Sequence, residues 1–260
     1  MIRRTISRIV HGPPTEEARL INKASSFPRH APHSFRYRDW TIRCTDFLSV
    51  AWQISELFGE ERMRFSADDA QPLIIDCGAN VGISVLYQKW RFPESRIIAF
   101  EPDEDVHRCL LSNLEENGIE GVECHRAALW VNDQGVSFGK EGADAGSILR
   151  TTSTVFVPST RLRDLLLQHD RIDLLKMDIE GAETDVLLDC SDALSRVRRI
   201  YVEYHSFRDR PQQLHALLTM LASQGFRYYL NRIGTHHPQP FMGLTEAEMD
   251  LQLDIHAIRS

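Results

Sequence analysis

The sequence predicts an α/β fold: a mostly parallel, seven-stranded sheet with helices on both faces, an antiparallel last strand and an N-terminal extension. Three observations support this. An apolar run at residues 73–75 ends in Asp76 and a glycine-containing turn that leads into a helical pattern. Further apolar runs alternate with helical patterns, which is typical of a parallel sheet covered on both faces. Apolar and polar residues alternate at 251–255, as expected of the final strand.

The spacing of these patterns places each element. Pro13, Pro14, Pro28 and Pro32 indicate an irregular start. Residues 1–70 are therefore assigned to an extension, with an alternating segment at 35–44 and a helical pattern at 50–58, and residues 71–260 to the main domain. Helices are predicted at 83–91 and 103–117, and strands at 73–76, 96–100, 122–125, 172–177, 199–204, 226–230 and 251–255.

The turn after the first strand reads Gly78-Ala79-Asn80-Val81-Gly82. Glycines permit a tight turn and close backbone approach to a ligand. Dinucleotide-binding proteins use Gly-x-Gly-x-x-Gly instead, and Asn80 stands where a pyrophosphate would favour bare backbone. A ligand without phosphate and with a zwitterionic tail suits Asp76 better, and S-adenosylmethionine (SAM) is such a ligand. The alternative is an ordinary strand-turn-helix whose glycines serve packing.

A second acid follows about 20 residues later. The strand at 96–100 ends at Glu101, the position from which a carboxylate accepts hydrogen bonds from both ribose hydroxyls. In isolation, Glu101 could equally be a solvated acid at a strand end. The separation from the glycine turn favours the ribose-binding role.

These residues resemble the FkbM-type family of class I SAM-dependent methyltransferases. The resemblance rests on the runs 75–82, 100–102, 111–118 and, above all, 175–183, Leu-Lys-Met-Asp-Ile-Glu-Gly-Ala-Glu. It spans about residues 73–205 and implies a Rossmann-like fold, SAM as methyl donor and, commonly, O-methylation of a small metabolite or sugar-like group. In similar methyltransferases an N-terminal extension covers the acceptor pocket. The acceptor itself is not identified.

The ends of the fourth and fifth predicted strands carry the candidate catalytic residues. Side chains alternate along a strand, so Asp178 shares a face with Lys176, and Glu203 shares one with His205. Glu180 follows on the loop. Because ligands lie beyond the carboxyl ends of such strands, these acids and His205 are expected in one cleft, where Asp178 is also expected to contact SAM. Alternatively, Asp178 and Glu180 cap the helix that begins near residue 181.

Three mechanisms remain open. An alcohol needs a base for its proton, and histidine is the usual choice, so His205 is the candidate base, oriented by Glu203 or Glu180. Asp178 with Glu180 or Glu203 could instead bind Mg²⁺, which would lower the pKa of the acceptor hydroxyl. The acids could also recognise a cationic acceptor such as an aminosugar.

The adenine of SAM is expected beside Ala128, where small residues leave room for a flat ring and Leu129 or Trp130 could cover one face. The loop at 142–147 resembles the family segment near the cofactor, which makes Ser147 a candidate contact. Two other classes remain open: a nicotinamide-dependent oxidoreductase and a non-catalytic SAM-binding module.

Composition limits the partners and the location. The net charge of −7 argues against an extended phosphate-binding surface, and the sequence has no motif of nucleic-acid methylation. No apolar run is long enough for a membrane helix. Five scattered cysteines form no Cys-x-x-Cys pair and are expected to be mostly buried. The prediction is a cytoplasmic enzyme acting on a small molecule, with neither nucleic-acid nor membrane partners.

Overall fold

The computed structural model describes residues 14–139, 154–233, 241 and 249–259. Within these ranges the helices are α1 (Glu16–Ala24), α2 (Phe47–Ile54), α3 (Ile83–Arg91), α4 (Glu104–Glu116), α5 (Leu162–Leu166), α6 (Glu183–Asp189) and α7 (Leu214–Ser223), with a π-helix at Ser55–Gly59 and a 3₁₀-helix at Ser191–Arg196. The strands are β1 (His33–Tyr37), β2 (Trp40–Cys44), β3 (Leu73–Cys77), β4 (Arg96–Phe100), β5 (Val122–His125), β6 (Ala128–Trp130), β7 (Val136–Gly139), β8 (Thr154–Val157), β9 (Ser159–Arg161), β10 (Leu174–Met177), β11 (Arg199–Phe207), β12 (Phe226–Ile233) and β13 (Met249–Arg259).

Seven strands form the central sheet in the order β5-β4-β3-β10-β11-β13-β12. The pairs from β5 to β11 are parallel, and β13 is antiparallel to both of its neighbours. This confirms the predicted fold class. The chain first extends the sheet from β3 towards β5 and later returns to β10 on the other side. The boundary between β3 and β10 is therefore the topological switch point, where such sheets bind ligands.

Both faces of the sheet are buried, which explains the apolar runs of its central strands. All five residues of β3 and all four of β10 are buried. Because side chains alternate along a strand, Ile74 and Leu174 pack on the side of α2, α3 and α4, whereas Ile75 and Leu175 pack on the side of α5, α6 and α7. The sheet is thus enclosed between two helical layers.

The residues before β3 form what we call the N-terminal unit: α1, the β1–β2 hairpin, α2 and the π-helix. Its buried side chains Phe47, Val50 and Phe58 belong to the same hydrophobic cluster as Ile83 and Leu86 of α3. The unit therefore packs directly onto the helical layer, and the predicted boundary near residue 70 does not separate two cores. That boundary stays a prediction.

Several element limits differ from the sequence expectations. The alternating segment 35–44 is interrupted by a turn and forms the β1–β2 hairpin, and the helical pattern at 50–58 divides into α2 and the π-helix. Strand β10 begins at Leu174, because Ile172 makes only an isolated bridge to Val197. Strands β11, β12 and β13 extend further than predicted, because they pair with one another over their whole length.

Asn113 of α4 and Asn117, the C-cap residue of this helix, join the hairpin to the main domain. The Asn113 side chain is fully buried; it accepts from the Arg43 amide (2.7 Å) and donates to the carbonyls of Arg43 (2.9 Å) and Val81 (2.8 Å). One helical turn later, Asn117 accepts from the Thr41 amide (2.9 Å) and donates to its carbonyl (2.8 Å). The side-chain amides of Asn113 and Asn117 therefore form hydrogen bonds with the backbone along one edge of β2, as a neighbouring strand would.

All five cysteines are free thiols, and Cys44, Cys77 and Cys190 are buried, as expected for small apolar residues. None of the described helices is long and apolar enough to cross a bilayer.

We expect Asn113→Ala to lower the free energy of unfolding by about 2–5 kcal/mol, because it leaves buried backbone groups of Arg43 and Val81 without partners. Asn117→Ala is the matched control. It should cost only about 1–2 kcal/mol, because Asn117 is partly exposed and water can replace its hydrogen bonds. Urea titrations of both variants test this, and equal effects would contradict it.

Candidate functional site

A cavity of about 1000 Å³ opens at the carboxyl ends of β3, β4 and β10, at the switch point of the sheet. Two groups of residues form most of its lining. The glycine turn and the adjoining strand ends contribute Gly78, Asn80, Phe100, Glu101, Ala127, Ala128, Leu129, Asp178, Ile179, Glu180 and Glu203. The N-terminal unit and helix α4 form the opposite wall, with Leu48, Ser49, Trp52, Gln53, Glu56, Val106, Cys109 and Ser112.

The glycine turn has a structural reason that the sequence did not reveal. Gly78 has φ +82°, and a Cβ there would lie 1.8 Å from the carbonyl oxygen of Asp178. Gly82 has φ +93° and borders Leu110, where a Cβ would approach the side chain to 2.7 Å. Gly78 therefore lets the ends of β3 and β10 meet, and Gly82 lets α3 pack on α4. Gly82 does not line the cavity, so its predicted cofactor contact is replaced by a packing role.

Asn80 occupies the left-handed region with φ +51°, which asparagine tolerates better than most residues. Its backbone N–H donates to Oε2 of Glu101 (3.0 Å). The other Glu101 oxygen accepts from the Asp103 amide (2.9 Å). Burial raises the pKa of Glu101 to about 7 despite these two bonds. The two sequence landmarks of the donor site thus meet directly on the cavity wall.

Asp76 lies behind the cavity wall rather than in it. The carboxylate is 2 % exposed; it accepts from the Ser84 hydroxyl and forms an ion pair with Lys176 (Oδ1 to Nζ, 3.2 Å). The sequence predicted a direct contact between Asp76 and the ligand. The structure gives it an indirect position instead, because Ser84 and Lys176 surround it.

Lys176 connects the glycine turn to the end of β10, a role that sequence reasoning missed. Its Nζ donates to the Gly78 carbonyl (2.6 Å) and lies 3.3 Å from Oδ2 of Asp178. Burial alone would lower the pKa of Lys176, but the carboxylates of Asp76 and Asp178 outweigh burial and raise it. The sequence contained one indication of this role: Lys176 lies two residues before Asp178 and therefore on the same face of the strand.

The loop after β10 presents both of its acids to the cavity. Glu180 has φ +57°, a conformation that non-glycine residues rarely adopt. The buried carboxylate of Glu183 stabilises this loop by accepting from the amides of Ile179 (3.1 Å) and Gly181 (2.9 Å). Helix α6 begins at Glu183 without a side-chain cap. Asp178 and Glu180 therefore lie outside the N-cap position, which Ala182 occupies.

His205 and Glu203 share a face of β11, as predicted, with Nε2 3.4 Å from Oε1. His205 is nevertheless buried beneath the cavity lining. Its Nδ1 lies 3.0 Å from Oε1 of Glu183, and its Nε2 lies 3.7 Å from Oε2 of Glu180. Glu183, which the sequence analysis did not consider, is thus its nearest orienting carboxylate.

The electrostatics of this cluster argue against the predicted role of His205 as general base. Burial alone would lower the pKa of His205, but Glu180, Glu183 and Glu203 raise it well above its usual value. The raised pKa favours the protonated imidazole, which has no free lone pair to accept another proton. A buried cation between carboxylates stabilises them rather than acting as a base.

The carboxylates at the cavity wall divide into two kinds. Burial raises the pKa of Asp178 to about 7 and that of Glu180 to about 8. The pKa of Glu203 is lowered, because hydrogen bonding to His205 and Gln252 and the charge of His205 outweigh its burial. Asp178 and Glu180 can therefore exchange protons near neutral pH, whereas Glu203 stays ionised.

A divalent cation could also be held here. Three possible ligand atoms lie within 4.8 Å of one another, one each from Asp178, Glu203 and His205. The two carboxylate oxygens are of the type that Mg²⁺ prefers. Binding through His205 would require loss of its proton, so a cation and the proton compete for this position.

Of the residues predicted near the adenine, Ala128 and Leu129 line the cavity, whereas Trp130 packs against the core. Ser147 lies outside the described residues.

Glu56, on the π-helix, is a cavity acid that the sequence analysis missed. Burial raises its pKa to about 7.

Comparison with known proteins agrees with this geometry. Residues 76–228, more than half of the chain, match the model of the methyltransferase FkbM domain. Methyltransferase 1 of Beauveria bassiana is 27 % identical over 212 residues, covering 71 % of this chain and 84 % of that protein. The 2-O-methyltransferase NoeI of Sinorhizobium fredii is 25 % identical over 176 residues, covering 58 % of this chain and 72 % of that protein.

Among solved structures, TYW2 of M. jannaschii in complex with AdoMet has a similar fold, with a TM-score of 0.50 and 14 % identity over 90 % of this chain and 89 % of that one. The match to the family model and the similarity to methyltransferases place this chain in a known group. It belongs to the FkbM methyltransferase domain family and is a methyltransferase.

Proposed function

We propose that this protein transfers the methyl group of SAM to a hydroxyl of a small, sugar-like acceptor. The observation that carries the proposal is that one cavity contains both the residues predicted for the donor, Asn80, Glu101 and Ala128, and the acids Asp178 and Glu180. Its volume of about 1000 Å³ is at the upper end of small-molecule sites, which leaves room for an acceptor beside the donor. The similar protein NoeI is named as a 2-O-methyltransferase.

The donor would lie along the carboxyl ends of β3 and β4. Each oxygen of Glu101 already accepts one backbone N–H, and its remaining lone pairs suit the two ribose hydroxyls. The small side chains of Ala127 and Ala128 leave space for a flat ring. TYW2, whose fold is similar, was solved in complex with AdoMet, which supports the same donor here.

Methyl transfer is an in-line displacement. The bond between sulfur and the methyl carbon breaks, a bond between the acceptor oxygen and that carbon forms, and the hydroxyl proton leaves to a base. We assign the base to Asp178, because its pKa of about 7 is matched to proton transfer near neutral pH. Lys176 and the cation of His205 would position and stabilise its ionised form.

The central experiment is calorimetric titration with S-adenosylhomocysteine and with NAD, followed by a labelled-methyl transfer screen over hydroxylated sugars, aminosugars and small natural products. Binding of NAD instead of S-adenosylhomocysteine would favour the nicotinamide-dependent oxidoreductase. Donor binding without transfer to any acceptor would favour a non-catalytic SAM-binding module.

A divalent cation at Asp178, Glu203 and His205 is the second candidate mechanism, because their ligand atoms converge. The same screen run with Mg²⁺ and with a chelator separates the two. Proton transfer to Asp178 predicts equal rates in both arms, whereas a metal-assisted reaction predicts loss of turnover in the chelator.

We expect Asp178→Asn to lower kcat by about 10²- to 10⁴-fold, because an amide cannot accept the hydroxyl proton. The affinity for S-adenosylhomocysteine should change by less than about tenfold. Asp170→Asn, which alters a fully exposed carboxylate shortly before β10, is the control and should leave kcat unchanged. Unchanged kcat in the Asp178 variant would remove this residue from the chemical step.

The pH dependence tests the roles of Asp178 and His205 together. A base must be ionised, so kcat/KM should rise with pH and level off above about pH 7, where Asp178 has lost its proton. Because the His205 cation lowers the pKa of Asp178, His205→Gln should move this rise to higher pH while preserving turnover on the plateau. Loss of turnover at every pH would instead support His205 as the base.

A further inference from the structure

We propose that the N-terminal unit selects the acceptor, and that the acceptor is a hydroxylated molecule with a protonated amine, held by Glu56 opposite Asp178 and Glu203. This inference rests on the proposed function and adds the chemical class of the substrate.

One face of α2 and the π-helix forms the cavity wall opposite the sheet. Ser49, Trp52, Gln53 and Glu56 line the cavity. On the other face, apolar side chains are buried in the core: Val50, Ala51, Ile54, Leu57 and Phe58. The helix is therefore fixed from behind by packing, and its polar and aromatic side chains face the space beside the donor site.

The π-helix places Glu56 at this wall. Its wider turn is closed by a hydrogen bond from the Glu60 amide to the Ser55 carbonyl (2.9 Å). Single π-turns within α-helices are rare and occur frequently at functional sites. Here the turn directs a carboxylate into the cavity while Leu57 and Phe58 stay buried in the core.

The charges at this end of the cavity favour a cationic ligand. Four carboxylates line it, from Glu56, Asp178, Glu180 and Glu203. The cations packed around them are Arg62, which bridges Glu56 (3.2 Å) and the buried Asp254 (3.3 Å), together with Lys176 and His205. These three cations also pair with the carboxylates of Asp76, Glu183 and Asp254, so acidic groups outnumber basic groups here, and a bound ammonium group would favour the ionised forms of the lining acids.

The remaining basic side chains of the described lining already have acidic partners. Arg29 pairs with Asp46 (2.7 Å), Arg43 with Glu116 (2.7 Å), and Arg108 with Asp105 (2.9 Å). They therefore offer little compensation to the acidic end. A positively charged group there would be attracted more strongly than in water, because the surroundings have a low dielectric constant.

Trp52 supplies a second, non-electrostatic feature. Its side chain is 51 % exposed, although a large aromatic residue on a packed helix is usually covered, and it lines the cavity one turn before Glu56. An exposed indole can pack against the face of an acceptor ring. The pair of Trp52 and Glu56 thus suits a ring that carries an amine.

These features also predict which acceptors are rejected. A carboxylate on the acceptor would meet Glu56, Asp178 and Glu203 and would be repelled at short range. A neutral sugar would avoid repulsion but would gain no charge-assisted hydrogen bond. The cavity should therefore rank acceptors in the order amine, neutral, acid.

Three hexose probes test this ranking: glucosamine, glucose and glucuronic acid. Each is titrated by calorimetry into the full chain already saturated with S-adenosylhomocysteine. We expect glucosamine to bind about 10- to 100-fold more tightly than glucose, the range that a charge-assisted hydrogen bond provides, and glucuronic acid to bind most weakly.

Three variants test which residues produce the preference. Glu56→Gln should reduce the preference for glucosamine over glucose to within about threefold without changing the affinity for S-adenosylhomocysteine. Glu60→Gln is the matched control: it removes an exposed carboxylate from the same Arg62 (2.8 Å) outside the cavity lining, and should keep the preference. Trp52→Ala should weaken glucosamine and glucose by the same factor, because a ring contact does not depend on charge.

The outcomes separate this inference from the proposed function. If S-adenosylhomocysteine itself does not bind, the proposed function fails. If it binds and glucose or glucuronic acid equals glucosamine, or if none of the three probes binds, only the amine preference is overturned. Equal loss of preference in Glu56→Gln and Glu60→Gln would remove the assignment to Glu56.

Discussion

The site depends on the hydrogen bond and the ion pairs made by the buried ammonium group of Lys176. This group joins the Gly78 carbonyl on one loop to Asp178 on the next and pairs with Asp76 below them. A buried charge is tolerated only when hydrogen bonds and opposite charges compensate it. Lys176 therefore fixes the positions of Gly78, Asp76 and Asp178 relative to one another. Gly78 completes the arrangement, because any larger residue would displace the backbone of Asp178. The glycine turn and the loop after β10 are therefore one structural unit.

Proton placement follows from the same burial. The cluster behind the cavity contains more carboxylates than cations, and a low-dielectric site cannot keep all of them ionised. Glu180, Glu183 and Glu203 raise the pKa of His205, which favours its protonated form, and burial raises the pKa of Asp178 to about 7. The imidazole is therefore stabilised as a cation, whereas the Asp178 carboxylate titrates near neutral pH, the reverse of what the two residue types would suggest.

The N-terminal unit is part of the site as well as of the fold. Its hydrophobic residues share a core with α3 and α4, and Asn113 and Asn117 attach its hairpin to α4 by paired hydrogen bonds. Because it is held from two sides, the face that carries Trp52 and Glu56 is fixed relative to the strand ends. An acceptor would thus be recognised by one part of the chain and react at another.

The sequence by itself determined the α/β class, the antiparallel last strand, the extent of α3 and β4, and the pairing of Glu203 with His205. Each follows from local rules, since hydrophobic periodicity and side-chain alternation act over a few residues. Only the tertiary structure decided that Asp76 lies behind the cavity wall, that Gly82 serves helix packing, that carboxylates surround His205 and that Glu56 lines the cavity. These properties depend on burial and on charges from distant parts of the chain, and such contacts leave no periodic signal in the sequence.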